Sequence, residues 1–162
     1  LIKSLKILKK KNGNFGCGII GRGIFKDILS NEIKRLNLNK NIKLVGFKKH
    51  AEQYLSQSDI FVLSSKYEGL PNVLIESQKY GVPIISSNCP TGPNEILMNG
   101  KLGELFPVGN YNVLASKLLN YSKNKNILKK KSYKAIKYLK RFDPIINSRK
   151  YSKLILEEYE KL

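Results

Sequence analysis

Apolar residues recur along this chain in two alternating rhythms. Over Leu1 to Lys11, Ile2, Leu5 and Leu8 fall on one side and lysines on the other, the spacing of an amphipathic helix. Phe15 to Ile20 is a short apolar run of strand length. Phe25 to Leu36 returns to helical spacing, with Ile28, Leu29, Ile33 and Leu36 predicted along its buried stripe. The alternation continues with strand 42–45 ending in Gly46, a brief helix over 51–57, strand 59–64, helix 72–80 closed by Gly81, and strand 83–87. A short helix near 93–98 and strand 104–106 follow. Helices are then predicted over 111–121, 127–141 and 144–162, the last offering Ile145 or Ile146, Tyr151, Leu154, Ile155, Tyr159 and Leu162 for packing.

Repeated strand–helix units with short connections predict an α/β fold, a parallel sheet with helices on both faces. No internal repeat or low-complexity linker interrupts the pattern. Residues 1–162 therefore read as one domain, with the helices from about residue 124 onward as an appended helical layer. With 162 residues and 41% hydrophobic content, the chain can bury a sizeable core.

Charge changes the picture less than its size suggests. Thirty basic against twelve acidic residues give a formal net charge of +18. Lysines are scattered, with runs at Lys9-Lys10-Lys11 and Lys129-Lys130-Lys131, in a chain also rich in Asn and Ile. The reading taken is a solvated basic surface, with attraction to an anionic membrane second (Lys123 to Lys140 the patch) and nucleic acid excluded as a partner. Cys17 and Cys89 form no metal-spaced pair and predict a reducing, cytoplasmic setting. With His50 as the only histidine, a histidine-based triad or zinc site has no material. No apolar stretch approaches transmembrane length.

The most informative chemistry lies at Glu68-Gly69-Leu70-Pro71-Asn72-Val73-Leu74-Ile75-Glu76, two carboxylates separated by seven residues across a strand-to-helix switch. Glu68 is predicted in the loop at the carboxyl end of a strand, and Glu76 on the first turns of the next helix, leaning back over that loop. In an open parallel sheet this edge is where ligands bind. Paired carboxylates suit a polyhydroxylated ligand, and free N–H groups at the helix start suit an anion. Two other strand ends are ambiguous. Gly21-Arg22-Gly23 fits a plain tight turn or the close approach of a phosphate or ribose. Gly46-Phe47 fits a strand end with a core Phe, or a surface for a base. Asp59 reads as a turn residue ahead of a strand.

These segments together resemble the retaining glycosyltransferases of family four. The stretch from Ser64 to Ser77 resembles the family's Glu-x7-Glu signature. Residues 81–87, Cys89-Pro90-Thr91-Gly92-Pro93-Asn94-Glu95-Ile96-Leu97 and 99–110 continue it. Gly21-Arg22-Gly23, Val45-Gly46-Phe47 and 59–64 fall in the family's order, and the helix from Phe142 resembles its C-terminal crossing helix. The resemblance implies the C-terminal, donor-binding half of a GT-B fold, Rossmann-like and metal-independent, with no cofactor beyond the nucleotide sugar it uses as substrate. It implies that Glu68 contacts donor-sugar hydroxyls as the catalytic-site residue. Glu76 would contact ribose, and Gly69, Leu70, Pro71, Asn72 and Val73 would lie against diphosphate and sugar. Gly21, Gly23, Gly46 and Phe47 would border base and ribose. The expected reaction moves a hexose or N-acetylhexosamine from a UDP-sugar to a polysaccharide, lipopolysaccharide or lipid-linked acceptor, at the inner face of the membrane. The rival readings are a UDP-sugar epimerase and a non-catalytic basic module on anionic membrane. The family's acceptor-binding domain and the opening donor-domain strand, with its Gly-Arg and Lys, are not found in these residues. Weak donor binding and no turnover are therefore expected of this stretch alone.

Overall fold

The computed structural model describes residues 1–11 and 13–161. The elements follow the predicted alternation: α1 (Ile2–Lys10), β1 (Cys17–Ile20), α2 (Lys26–Arg35), β2 (Ile42–Gly46), α3 (Glu52–Ser56), β3 (Phe61–Leu63), α4 (Asn72–Lys79), β4 (Ile84–Ser87), α5 (Pro93–Ile96), β5 (Glu104–Phe106), α6 (Tyr111–Lys123), α7 (Asn126–Lys137), a 3-10 turn (Leu139–Phe142) and α8 (Pro144–Tyr159). Every strand pairing is parallel. That follows from the helix between successive strands, which returns the chain to the same end of the sheet.

The strands form two sheets, β1-β2 and β3-β4-β5, where the sequence predicts one. Among the described residues no ladder joins the halves; in a Rossmann-like order of 3-2-1-4-5-6 the opening strand, which the sequence reading places outside these residues, would lie between β1 and β3. A shared core joins them instead. Cys17, Ile19, Ile42 and Leu44 of the first sheet pack with Val62, Ile85 and Phe106 of the second, under Ile2, Leu5 and Leu8 of α1 and Leu114, Leu118 and Tyr121 of α6. The alternation of strand side chains puts the intervening residues on the opposite face. There Leu63 and Ile84 meet Leu74 of α4 and Ile96 and Leu97 around α5, with Phe142 partly buried against them. Helices thus cover both faces of the three-stranded sheet. On the two-stranded sheet the second face stays open, with Gly18 and Lys43 exposed.

Two packing expectations change. Ile33 is buried on α2 and Leu29 and Leu36 are half-buried, but Ile28 points into solvent at 63% exposure. It sits on the first turns, where no neighbouring element covers the helix. On α8, Ile145, Ile146, Tyr151, Leu154, Ile155 and Tyr159 are all exposed, and the predicted Leu162 lies outside the described residues. The helix starts well, because the Asp143 side chain accepts hydrogen bonds from the Ile145 and Ile146 amides at 2.9 Å. None of its residues is buried, and none belongs to either core cluster.

Candidate functional site

The parallel strands deliver their carboxyl ends, and the loops that follow, to one edge of each sheet. The segment with both carboxylates leaves β3 there. Glu68 is half-buried, Gly69 and Leu70 are exposed, and Pro71 is buried as the residue that starts α4. Asn72 and Val73 form the first helical turn, and Glu76 is exposed one turn further on. Pro71 has no side-chain acceptor for the helix, and Leu74 N–H bonds back to its carbonyl at 2.9 Å. The amides of the first turn and the helix dipole are therefore available to an anion at this end.

The loop is held from behind by the segment after β4. Thr91 Oγ1 donates to the Glu68 carbonyl at 2.5 Å. Ser87 Oγ and Cys89 Sγ both donate to the Ser65 carbonyl, at 2.8 and 3.2 Å. Gly92 adopts φ +87°, and a Cβ there would collide with the Gly69 carbonyl oxygen and with Pro71 Cδ. The backbone of 69–71 rests directly on Gly92, an approach that only glycine permits. Sequence reasoning noted the Thr91-Gly92-Pro93 run without giving it this supporting task. The available signal was a Gly placed just before a Pro that opens a helix.

At the first sheet, Gly21 N–H donates to the Gly46 carbonyl at 2.9 Å, fixing the ends of β1 and β2 beside each other. Gly46 turns the chain with φ +77°, a conformation that disfavours any residue with a Cβ. Phe47 is 58% exposed, which removes the core-Phe alternative for this strand end. Gly21, Gly23 and Gly46 border open space. The structure thus gathers Gly21, Gly23, Gly46 and Phe47 at one strand-end pair, and Glu68 to Glu76 at another. Among the described residues no hydrogen-bonded ladder joins the two groups.

Asp59 belongs to the opposite end of the strands. Its carboxylate takes a 2.7 Å ion pair from Lys125, whose ammonium holds its pKa below the ordinary Asp range, and its carbonyl accepts from Tyr121. It serves as a structural turn, as its position before a strand predicts. His50 is exposed and contacts Glu52. Cys89 is buried and Cys17 half-buried, where burial pushes its thiol pKa up. Among the described residues no three of His, Cys, Asp or Glu gather as metal ligands. A cleft of about 390 Å³ lies behind the Glu68 loop, between Thr91, Asn94, Glu95, Asn99 and Lys101. It is lined by the motif segments 90–95 and 99–101 and contains none of the residues expected to contact the donor.

Residues 1–141 match the family described as glycosyl transferases group 1. The chain is 30% identical over 138 residues to the N-acetylgalactosamine-N,N'-diacetylbacillosaminyl-diphospho-undecaprenol 4-alpha-N-acetylgalactosaminyltransferase of Campylobacter jejuni, covering 85% of this chain and 38% of that protein. It is 43% identical over 97 residues to an uncharacterized glycosyltransferase of Methanocaldococcus jannaschii, covering 60% and 24%. Among solved structures, Anabaena HepE in complex with UDP superposes with a TM-score of 0.87 at 20% identity, over 97% of this chain and 44% of that one. The chain thus spans between about a quarter and two fifths of the length of these curated relatives.

Proposed function

The chain belongs to the group 1 glycosyltransferases, and from that premise we propose that it is the donor-binding half of a retaining enzyme that uses a UDP-sugar. The observation that carries the reading is the braced loop 68–71 at the start of α4, with a carboxylate on each side. The diphosphate takes the amides of Asn72 and Val73 and the helix dipole. Glu68 accepts hydrogen bonds from hydroxyls of the transferred sugar, and Glu76 from those of the ribose. Without such hydroxyl partners, two carboxylates beside a diphosphate would repel it. Gly46 and Phe47, with Gly21 and Gly23, border the base. The transition state is oxocarbenium-like, and Glu68 orients the sugar without serving as nucleophile. The reading takes no metal or cofactor beyond the nucleotide sugar.

The transferred group is a hexose or N-acetylhexosamine, and the acceptor a polysaccharide, lipopolysaccharide or lipid-linked glycan held by a partner domain. The Campylobacter relative, by its name an N-acetylgalactosaminyltransferase acting on a diphospho-undecaprenol glycan, supports this class of acceptor. In a protein carrying both halves, Glu68→Ala abolishes transfer, whereas Glu76→Ala mainly raises the donor KM. Normal transfer by the Glu68 variant would sink the site assignment. Incubation with donor and no acceptor separates the epimerase reading, which requires an epimerised sugar nucleotide.

A second reading, attachment to an anionic membrane surface from the cytoplasmic side, has its own support. From Leu105 to Phe142 the chain has no Asp or Glu, and Lys129, Lys130, Lys134 and Lys137 are exposed on α7 beside Ile127 and Tyr133. No helix among the described residues is long and apolar enough to cross a membrane. Co-sedimentation with phosphatidylglycerol vesicles, against phosphatidylcholine ones and across salt, tests this directly. Equal binding to both lipids would end it.

A further inference from the structure

Arg141 lies in the 3-10 turn that leads into α8. It forms no ion pair among the described residues and spends its donors on backbone carbonyls instead. Nη2 donates to the Ile96 carbonyl at 3.0 Å, Nη1 to the Glu95 carbonyl at 3.4 Å, and Nε to the Tyr138 carbonyl at 3.2 Å. The guanidinium stands over the Phe142 ring, 4.9 Å from its centroid, and Asn147 of α8 donates to the Arg141 carbonyl at 2.9 Å. A planar fork held in this way reaches two carbonyls at once, which an ammonium does not.

The element it grips, α5, is a single turn of four residues, too short to keep its shape unaided. The other end of that turn is the seat of the candidate site. Pro93 opens the helix, Gly92 carries the backbone of 69–71, and Thr91 donates to the Glu68 carbonyl. Gln78 of α4 also donates to the Ile96 carbonyl, at 3.3 Å, and its buried Oε1 has no hydrogen-bond partner among the described residues. Arg141 therefore makes the closer of the two side-chain contacts on this carbonyl. The diphosphate end of the site is built differently. Asn72, Val73 and Glu76 belong to α4, which is anchored through the buried Leu74 and Ser77.

We propose, on the donor-site reading above, that Arg141 is a positioning residue for transfer: by fixing α5 it fixes the loop that sets Glu68 against the donor sugar. Without the fork, α5 and its Gly92 seat shift, displacing Glu68 while the α4 amides and Glu76 stay in place. A misplacement of about 1 Å at a group that orients the reacting sugar costs up to about a hundredfold in rate. The loss therefore falls on kcat, and nucleotide binding is spared.

Two variants test this. Arg141→Met keeps the apolar stem and removes every donor, whereas Arg141→Lys returns a charge that reaches one carbonyl. In a protein carrying both halves, Arg141→Met should lower kcat about ten- to a hundredfold, with the donor KM and the calorimetric UDP affinity within about threefold of wild type. Arg141→Lys should recover part of the kcat. In the 162-residue chain, Arg141→Met should speed amide exchange at 65–71 and 92–97 and leave the second half of α4 as protected as in wild type. An unchanged kcat, a kcat that falls in step with UDP affinity, or unaltered exchange at 65–71 would each overturn the positioning role. If Arg141→Met does not fold, Arg141→Lys decides: a lowered kcat at wild-type UDP affinity supports the role, and wild-type kcat overturns it. A wild type that binds no UDP, or normal transfer by Glu68→Ala, overturns the donor-site reading itself. Wild-type kcat in Arg141→Met beside an inactive Glu68→Ala overturns only the part given to Arg141.

Discussion

Gly92 is where the candidate site is most sensitive to a single atom. A methyl group there meets the Gly69 carbonyl and Pro71, and its backbone already occupies a left-handed conformation. Gly92→Ala should cost about 2 kcal/mol or more, since strain and collision add, and should loosen the Glu68 loop before the rest of the fold. Thermal unfolding measures the first effect. Faster amide exchange confined to residues 64–72 reads the second, and a variant as stable as wild type would show that the loop does not lean on Gly92. Cys17 gives a pH prediction. Its thiol is raised by burial, so the thiolate appears only above the ordinary thiol range. Alkylation of Cys17 by iodoacetamide should therefore be slow at neutral pH and climb at a higher pH than for an exposed cysteine. The pair Glu68 and Glu76 was legible from residue type and spacing, because strand-end loops and helix starts are local features. Gly92 was not, because its task depends on a segment twenty residues away. Phe47 had two readings until its exposure was seen.

Among the elements, helical periodicity located every helix but could not say which faces would find a partner. Ile28 obeys the stripe of α2 and is still solvated, because the stripe extends past the end of the core. On α8 the pattern is present, yet none of its residues is buried or joins either core cluster. A helix that buries so little of itself depends on local interactions, and sixteen residues lie near the limit of stability for a free helix. Amides of α8 should accordingly exchange orders of magnitude faster than those of α4, as hydrogen-exchange mass spectrometry would record. Protection of α8 equal to that of α4 would require a cover for its apolar face. Asp143→Ala, which removes the cap bonds to Ile145 and Ile146, should cost about 1 kcal/mol of helix stability and lower the helical circular dichroism.

Across the whole molecule, the fold class was legible. Parallel pairing follows from the strand–helix alternation, and the division into two ladders falls where a 3-2-1-4-5-6 order places the opening strand, which the sequence reading puts outside these residues. Charge also acts at this scale. A net +18 on 162 residues repels itself, so moderate salt should raise the melting temperature by screening. The ion pair between Asp59 and Lys125 works the other way. Because the Asp59 pKa is lowered in the folded chain, its contribution is present above the unfolded Asp pKa and is lost as pH falls through the folded one. Both groups are substantially exposed, so Asp59→Asn should shift acid stability only slightly, within about 1 kcal/mol. A melting temperature that falls as salt is added would overturn that balance.

The ladders also leave β1 and β3 each with a bare edge among the described residues. Unpaired backbone N–H and C=O groups along a strand recruit other strands. The chain by itself should therefore self-associate as its concentration rises, which sedimentation velocity would record. A strand placed between the two edges, such as the opening donor-domain strand expected outside these residues, would occupy both and remove that stickiness.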